Sequence, residues 1–252
     1  MELIVRTLSI LTLLSKKPNG ISVKEVSDEL NISTSAVHRI LSCLKEEGFT
    51  LQDSETKRYR IGFKVLTLAQ NMTQKNALTQ SAHKYLEEFS KEINKTVELC
   101  ILENGSTVCI DYIQNTDTQY FFVRTGFAIP KYATSAGKAI EAYLPEEKVI
   151  KENQNSTFKK VTINTISNLD EYIEDLKKVK KLGYAKSNEE LQLGVVGIAC
   201  PIFDAMGYPV ASVAFNKLKE IDEIDDQKIK ALKECANKIS RSLGYKGDIN
   251  AK

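Results

Sequence analysis

The 252-residue sequence predicts an α+β protein, in which an N-terminal winged helix-turn-helix precedes a C-terminal antiparallel sheet with helices packed against it. Three observations predict this class. Residues 21–48 hold two short amphipathic segments around a tight turn, and residues 49–61 hold two strand patterns around a polar turn. From Thr96 onward, strand patterns are interspersed with helical ones. The length and the 42% apolar content suffice for two cores of ordinary size.

The first amphipathic segment predicts a short helix with a defined start and end. Ser22 can cap its N-terminus, and Glu25 three residues later completes a capping box. Asn31 tolerates a left-handed backbone and can therefore end the helix. The apolar residues recur at helical spacing on one face: Val23, Val26 and Leu30.

The second segment predicts a helix that presents polar side chains outward. Ser33 or Thr34 can cap it, and Gly48 can end it. Its apolar stripe comprises Val37, Ile40, Leu41 and Leu44. The groups left outside are hydroxyls, an imidazole and a guanidinium, namely Ser33, Thr34, Ser35, His38 and Arg39. Such groups reach phosphates and base edges from the start of a recognition helix, so this pattern predicts DNA binding.

Paired amphipathic helices also occur in folds that bind no nucleic acid, so the interpretation as a DNA-binding domain depends on the flanking segments as well. A preceding helix, marked by Leu3, Leu8, Leu11 and Leu14, would complete a three-helix core. The strand, polar turn and returning strand at residues 49–61 predict a β-wing, whose cations would lie beside the DNA backbone. These cations are Lys57, Arg58 and Arg60, and with Ser22 and the helix residues they form the predicted DNA contacts.

The charge distribution fits a small DNA-binding module attached to a neutral domain. Residues 1–75 carry 11 Lys and Arg against 8 Asp and Glu, a net charge of +3. The other 177 residues carry 24 against 25, a net charge of −1. A protein that coats nucleic acid nonspecifically would be more basic.

The composition predicts a cytoplasmic protein without membrane segments, metal or cofactor. No run approaches about 18 uninterrupted apolar residues, and the apolar N-terminus lacks a signal-peptide cleavage site. The five cysteines are widely spaced in apolar segments, which suits reduced, buried thiols. They form no C-x-x-C pair, and a zinc site would have to combine scattered cysteines with only two histidines.

The connection between the domains is predicted to be helical. Domain boundaries are placed at residues 1–62 for the winged helix, 63–76 for a linker helix and 77–252 for the second domain. Apolar residues recur at helical spacing in the linker, at Phe63, Val65, Leu66 and Leu68. A stiff helix transmits geometry better than a flexible tether does. The alternative is that these helices only pack on the second core.

The second domain shows strand pairs with helices between them. Asn104-Gly105 is a strong hairpin signal. The predicted strands are Val97–Glu103, Thr107–Ile113, Tyr120–Arg124, Val195–Phe203 and Pro209–Phe215. The predicted helices begin at Asn76, Thr134, Pro145, Asn168 and about Asp225. Thr134 and Ser135 lie at a helix start, where backbone N–H groups favour an anion.

Three segments together resemble the IclR (isocitrate lyase regulator) family of transcription factors. They are the helix-turn-helix ISVKEVSDELNISTSAVHRILSCLKEEG with its wing KRYRIG, then PKYATSAGKAIEAYLP, and then LGYAKSNEELQLGVVGIACPIFDAMGYPVASVAF. The resemblance spans nearly the whole chain. It implies a winged helix, a linker helix and an effector domain related to GAF and profilin-like folds. It also implies a homodimer or homotetramer that represses or activates a catabolic operon by binding operator DNA and responds to a small organic acid.

The resemblance also implies which residues line the effector pocket. They are Thr134, Ser135, Ala136, Gly137, Ser187, Val195, Gly197, Cys200, Ala214 and Asn216. Apolar neighbours that could pack on the effector's carbon skeleton are Tyr112, Val123 and Val195. Some family members carry an acid at the position of Ser187, a cysteine at that of Gly197 and hydroxyls at those of Ala214 and Asn216. This chain therefore need not bind their ligands, and each of these residues could instead be plain core.

The function predicted is a sequence-specific DNA-binding transcriptional regulator, with repression as the favoured sign. One alternative is a sensor whose DNA module has lost its function. The other is an enzyme that uses Cys109 or Cys200 with His83, or the hydroxyls of Thr134 and Ser135. The sequence has no G-x-S-x-G elbow, no H-E-x-x-H and no complete P-loop, so we expect no enzymatic activity.

Overall fold

The computed structural model describes residues 2–74, 77–115, 125–219 and 225–247, with backbone alone for 70–74. The chain divides into two compact units, Met1–Lys75 and Asn76–Lys252. None of the helices within the described ranges is long and apolar enough to cross a membrane.

The first unit is a three-helix core with a two-stranded wing and a following helix. Its elements are α1 (Glu2–Ser15), α2 (Val23–Leu30), α3 (Thr34–Glu46), β1 (Thr50–Gln52), β2 (Tyr59–Ile61) and α4 (Lys64–Gln74). The two strands are antiparallel, with Leu51 opposite Arg60. Buried side chains from α1, α2, α3 and β2 meet in one core that includes Ile10, Val26, Val37, Leu41 and Tyr59.

The predicted helix boundaries in this unit are confirmed. Ser22 caps α2 by accepting the Glu25 N–H at 3.3 Å, and the Glu25 carboxylate accepts the Ser22 N–H at 2.8 Å. Asn31 ends α2 with a left-handed φ of 51°. Of the two possible caps for α3, Ser33 is the one that accepts the Ala36 N–H.

The apolar face predicted for α1 is wrong in its first half. The buried residues are Ile10, Leu13 and Leu14, all in the second half of the helix. Leu3 and Leu8 are 62% and 57% exposed. Leu8 lies on the side of the helix opposite Ile10, because residues two apart are separated by about 200°. Leu3 lies two turns ahead of the buried positions.

The second unit is a six-stranded antiparallel sheet covered by helices. Its helices are α5 (Ala77–Ile93), a 3-10 turn (Lys131–Ala133), α6 (Ser135–Glu141), α7 (Glu146–Asn153), α8 (Leu169–Leu182) and α9 (Asp226–Ser242). Its strands are β3 (Val97–Glu103), β4 (Ser106–Ile113), β5 (Ala128–Pro130), β6 (Ala185–Asn188), β7 (Val195–Phe203) and β8 (Pro209–Leu218). The strand order is β5-β4-β3-β8-β7-β6.

The two faces of the sheet bury separate cores because strand side chains alternate. On one face, α5 and α9 cover strand residues such as Ile198 and Phe215, and Phe89 of α5 packs among them. On the other, α6 and α8 cover Ala199 and Ala214. The short strands β5 and β6 were not predicted, and the predicted strand Tyr120–Arg124 lies outside the described residues. The Asn104-Gly105 hairpin is confirmed, with φ of 48° and 76° at its two turn residues.

Candidate nucleic-acid interface and ligand cavity

The outer face of α3 presents every polar group that the sequence predicts there. Ser33, Thr34, Ser35, His38 and Arg39 are all exposed. The helix keeps this face outward because its apolar stripe, Val37, Ile40, Leu41 and Leu44, is buried on the opposite side. A groove of about 630 Å³ runs beside the same face, and its lining includes His38 and Arg39 together with α1 residues. A duplex can therefore approach these side chains without rearrangement of the core.

Two of the predicted hydroxyls already serve as helix caps. Ser22 is half-buried in the capping box of α2, and Ser33 Oγ lies 3.3 Å from Ser35 Oγ at the start of α3. A capping hydroxyl accepts a backbone N–H and keeps its own proton for donation. Ser33 thus remains able to donate to phosphate, whereas Ser22 is less accessible.

The three wing cations do not share one environment. Lys57 and Arg60 are exposed, and Lys57 adopts a left-handed φ of 56° at the turn. Arg58 is half-buried, and its guanidinium donates to the Gly20 carbonyl at 3.2 Å and to the Glu25 carboxylate at 2.9 Å. Arg58 thus ties the wing to the start of α2, whereas Lys57 and Arg60 extend into solvent.

The wing turn and the start of α2 are both fixed by carboxylates. Hydrogen bonds from the backbone and hydroxyl of Ser22, together with the Arg58 guanidinium, lower the pKa of Glu25 to about 2. Hydrogen bonds from Thr56 lower the pKa of Asp53 in the same way, since its carboxylate accepts both the Thr56 N–H and hydroxyl. Both groups are therefore ionised at neutral pH, and they hold the wing in shape.

A cavity of about 70 Å³ lies in the second unit, between β3, β4, β7 and β8 and the start of α6. It collects eight of the twelve effector residues predicted from the sequence: Thr134, Ser135, Ala136, Ser187, Val195, Gly197, Ala214 and Asn216. Drug-sized ligands occupy cavities of about 300–1,000 Å³. The space here suits a molecule of only a few heavy atoms.

Three predicted residues lie outside the lining, and Val123 lies outside the described residues. Cys200 is fully buried on the opposite face of the sheet, where its thiol donates to the Gly183 carbonyl. Alternation explains this, because Val195 and Gly197 share one face of β7 and Cys200 belongs to the other. Tyr112 packs at the edge of the α6 core. Gly137 is a close-approach position, where a Cβ would lie 2.4 Å from the Lys131 carbonyl oxygen.

Hydrogen bonds order the polar wall of the cavity. Thr134 Oγ1 accepts the Gly137 N–H at 3.1 Å and lies 3.0 Å from Thr107 Oγ1. The Ser187 hydroxyl donates to the Ala133 carbonyl at 2.9 Å. A Cβ on Gly197 would lie 2.8 Å from both Ser135 Oγ and Asn216 Oδ1, so the glycine lets these two side chains face the cavity.

Sequence reasoning missed the residues that line the cavity from the β3–β4 hairpin. Glu98, Cys100 and Cys109 all face it. Asn216 Nδ2 donates to Glu98 Oε1 at 2.6 Å. Burial raises the pKa of Glu98 to about 7 despite this bond. The hydrogen bond with Cys109, burial and the adjacent Glu98 raise the pKa of Cys100 well above its usual range.

Ion pairs inside the protein hold α6, which supplies one wall of the cavity. Lys138 is fully buried, with its Nζ 2.9 Å from a carboxylate oxygen of Asp175 and of Glu190. Lys131 pairs with Glu141 at 2.7 Å. Breaking a buried ion pair leaves an uncompensated charge, so these contacts fix the position of the helix.

The chain matches two family models. One is the IclR helix-turn-helix domain, over residues 3–54, and the other is the bacterial transcriptional regulator IclR C-terminal domain, over residues 70–241. The HTH-type transcriptional regulator KdgR of Escherichia coli K12 is 30% identical over 230 residues, which cover 89% of this chain and 86% of that protein. The transcriptional repressor IclR of the same organism is 26% identical over 228 residues, covering 90% and 82%.

Solved structures show the same fold over nearly the whole chain. The IclR structure of Thermotoga maritima has a TM-score of 0.82 at 31% identity and covers 97% of this chain and 100% of that one. An IclR homolog from Microbacterium hydrocarbonoxydans, complexed with 4-hydroxybenzoate, has a TM-score of 0.79 at 17% identity and covers 94% and 98%. At that identity the second likeness shows the fold alone.

Proposed function

Because this chain belongs to the IclR family of DNA-binding bacterial transcriptional regulators, we propose that it represses a catabolic operon under the control of a small organic acid. Because the family consists of transcriptional regulators, we reject the alternative that this chain is an enzyme. The regulator acts where the bacterial chromosome lies, so we assign it to the cytoplasm.

For DNA recognition, α3 is the helix that enters the major groove. The exposed polar face of α3, held outward by a buried apolar stripe, is the observation that carries this part of the proposal. Arg39 and His38 are assigned to base edges, and the Ser33, Thr34 and Ser35 hydroxyls to phosphates near the helix start. Lys57 and Arg60 steady the wing on the backbone.

For assembly, we assign a homodimer that can pair into a tetramer. Two elements of the first unit expose apolar side chains that a single chain leaves in water. In α1 these side chains are Leu3, Ile4, Val5 and Leu8, which are between 57% and 65% exposed. Around α4 they include Phe63, which directly precedes the helix, and Leu66 and Leu68 within it. Contiguous exposed apolar patches mark interaction sites. A dimer would place two recognition helices about one helical turn apart on a pseudo-palindromic operator.

For control, we assign residues 1–62 to DNA binding, 63–76 to a linker helix and 77–252 to effector binding. The effector occupies the cavity lined by Thr134, Ser135, Ser187 and Asn216, whose hydroxyls and amide can bind oxygen atoms. The cavity volume of about 70 Å³ favours a compact ligand. The effector changes DNA affinity only if it binds the free and DNA-bound conformations unequally.

Titration of small organic acids into a complex of the protein with a selected duplex tests this proposal. Fluorescence anisotropy of the labelled duplex measures release, and calorimetry on the protein alone measures acid binding. We expect at least one compact acid to bind one site per chain and to change the duplex dissociation constant. Ser187→Ala, which alters the cavity wall, should weaken acid binding while DNA binding without acid stays unchanged. An acid that binds equally well to the Ser187→Ala protein would place the effector elsewhere.

A further inference from the structure

Among the residues that the structure describes, the wall of the cavity holds one carboxylate and no cationic side chain. The carboxylate belongs to Glu98, which is half-buried and lines the cavity from β3. Apart from Gly197, the other lining residues carry apolar, hydroxyl, amide or thiol groups. An organic acid that enters this cavity therefore brings its charge beside a charge of the same sign, in a site where less water screens the two.

We propose that Glu98 takes up a proton when a compact monocarboxylic acid binds in the cavity, so that the two carboxyl groups share one hydrogen. The ligand carboxylate and the Glu98 carboxylate combine with one proton from solvent, and a hydrogen bond with Glu98 as donor joins them. Two carboxylates in contact do not both stay ionised, and a shared proton removes their repulsion. The proposal rests on the proposed function, because the acid must occupy this cavity.

Hydrogen bonds in the wall select the oxygen that carries the proton. Asn216 Nδ2 donates to Glu98 Oε1 at 2.6 Å, so Oε1 already acts as an acceptor. The sulfur of Cys100 lies 3.8 Å from Oε2. A thiol is a weak donor, so a ligand oxygen replaces this contact at little cost. We therefore place the proton on Oε2, with Asn216 as the positioning residue that orients the carboxyl group.

The surroundings of Glu98 favour the uptake of a proton. The titratable groups on its face of the sheet are the thiols of Cys100 and Cys109 and the phenol of Tyr112, which lies opposite Glu98 on β4. The uncharged Asn216 lies on β8, while β5, β7, the loop before β7 and the start of α6 contribute hydroxyl, amide or apolar groups to the lining. Burial raises the pKa of Glu98 to about 7, and the hydrogen bonds with Asn216 and Cys100 lower it by less. The carboxyl group thus changes its protonation state near neutral pH.

A single shared proton also defines the class of acid. After the proton is taken up, a bound monocarboxylate leaves one negative charge in the cavity. A dicarboxylate of similar size brings a second charge, which no described lining residue neutralises. The hydroxyls of Thr134, Ser135 and Ser187 can bind a hydroxyl group of the ligand. We therefore expect compact monocarboxylates, hydroxylated or not, to bind in preference to dicarboxylates.

Calorimetry on the full chain counts the proton. Acetate, propionate and lactate are titrated in two buffers that differ in ionisation enthalpy, because the difference in binding heat gives the number of protons taken up. At about pH 8, above the pKa of Glu98 in the protein without ligand, we expect uptake of close to one proton per bound acid. Between about pH 8 and pH 9 the dissociation constant should rise about tenfold, whereas near pH 6 it should change little. Malonate and succinate should bind more weakly than the monocarboxylates.

Variants assign the proton to Glu98. Glu98→Gln presents an uncharged N–H donor of the same shape, so at about pH 8 it should bind the acid about tenfold more tightly than the wild-type protein does, without proton uptake or pH dependence. Glu103→Gln is the matched control, because Glu103 is the exposed last residue of the same strand and the variant should keep the proton uptake. An acid that binds and releases DNA without proton uptake, or with an uptake that persists in Glu98→Gln, would overturn the inference and leave the proposed function intact.

Infrared spectroscopy of the wild-type chain without ligand keeps the test independent of whether the variant folds. At about pH 6 an ordinary glutamate is ionised, whereas Glu98 should show the carbonyl stretch of a protonated carboxylic acid, which is lost as the pH rises past about 7. Absence of this band in the wild-type protein would overturn the inference. Failure of all three monocarboxylates to bind, while another acid releases DNA, would overturn the ligand class alone. A chain that releases DNA with no acid at all would contradict the proposed function itself.

Discussion

Arg58 and Arg60 are two residues apart in the wing, yet the structure assigns them different roles, and replacing each by alanine tests this difference. Arg60 is exposed, whereas Arg58 donates to the Gly20 carbonyl and the Glu25 carboxylate. Arg60→Ala should therefore remove a phosphate contact. Arg58→Ala should instead loosen the attachment of the wing to α2.

The size of the Arg60→Ala effect follows from counterion release. Each neutralised phosphate contributes about 0.9 to the slope of log affinity against log salt concentration. A dimer that makes this contact twice should lose about 1.8 of slope, so the wild-type protein should lose about 12-fold more affinity than the variant between about 50 and 200 mM salt. The loss should apply equally to operator and unrelated duplexes, because phosphate contacts carry no sequence information.

Fluorescence anisotropy of a labelled duplex across this salt range measures both slopes, and a thermal melt of each protein measures stability. We expect Arg58→Ala to lower the melting temperature and to leave the salt slope nearly unchanged. A wild-type slope in Arg60→Ala would show that the wing does not contact phosphate. An equal fall of slope in both variants, without loss of stability in Arg58→Ala, would refute the role given to the Glu25 pair.

Three further changes test other parts of the molecule. Arg39→Ala should cost about 1–3 kcal/mol of operator binding in competition assays while affinity for unrelated DNA stays constant, and equal losses on both would remove Arg39 from base recognition. Gly197→Ala places a Cβ 2.8 Å from Ser135 Oγ, and such overpacking costs about 1–3 kcal/mol. Calorimetry should therefore show that the variant binds the effector about tenfold or more weakly. Unchanged affinity would show that this wall of the cavity does not contact the effector. Lys138→Met leaves the carboxylates of Asp175 and Glu190 without their cation and should lower the free energy of unfolding by about 3 kcal/mol. This value is at the low end of the range for a broken buried ion pair because Asp175 is partly exposed. An unchanged denaturant midpoint would contradict this prediction.

Local chemistry made the first unit readable from the sequence. Capping by Ser22 and Glu25, the left-handed Asn31 and the apolar stripe of α3 are all short-range signals, and the structure confirms each of them. The buried face of α1 was harder to predict from the sequence, because the burial of Leu3 or Leu8 depends on which turn of the helix meets the core. The pairing of Arg58 with Glu25 joins residues 33 apart and has no local signature.

The cavity was predictable only in part. Eight of its residues were expected from resemblance, whereas the β3–β4 residues were missed although the sequence held a usable signal. A two-residue turn at Asn104-Gly105 fixes the register of the hairpin, and counting outward from it places Cys100 opposite Cys109. The alternation of β7 likewise would have separated Cys200 from Gly197. The contact of Glu98 with Asn216, 118 positions apart, could only come from the strand order of the sheet.

Selection from a pool of random duplex DNA on the purified protein, followed by sequencing of the bound fraction, is the most direct test of operator recognition by α3. We predict enrichment of a pseudo-palindromic site whose half-sites are centred about 10 base pairs or a multiple apart. We also predict that Arg39→Ala fails to enrich that site under the same conditions. No enrichment at low salt, with and without the pool of small acids, would show that this protein does not recognise a specific operator through α3.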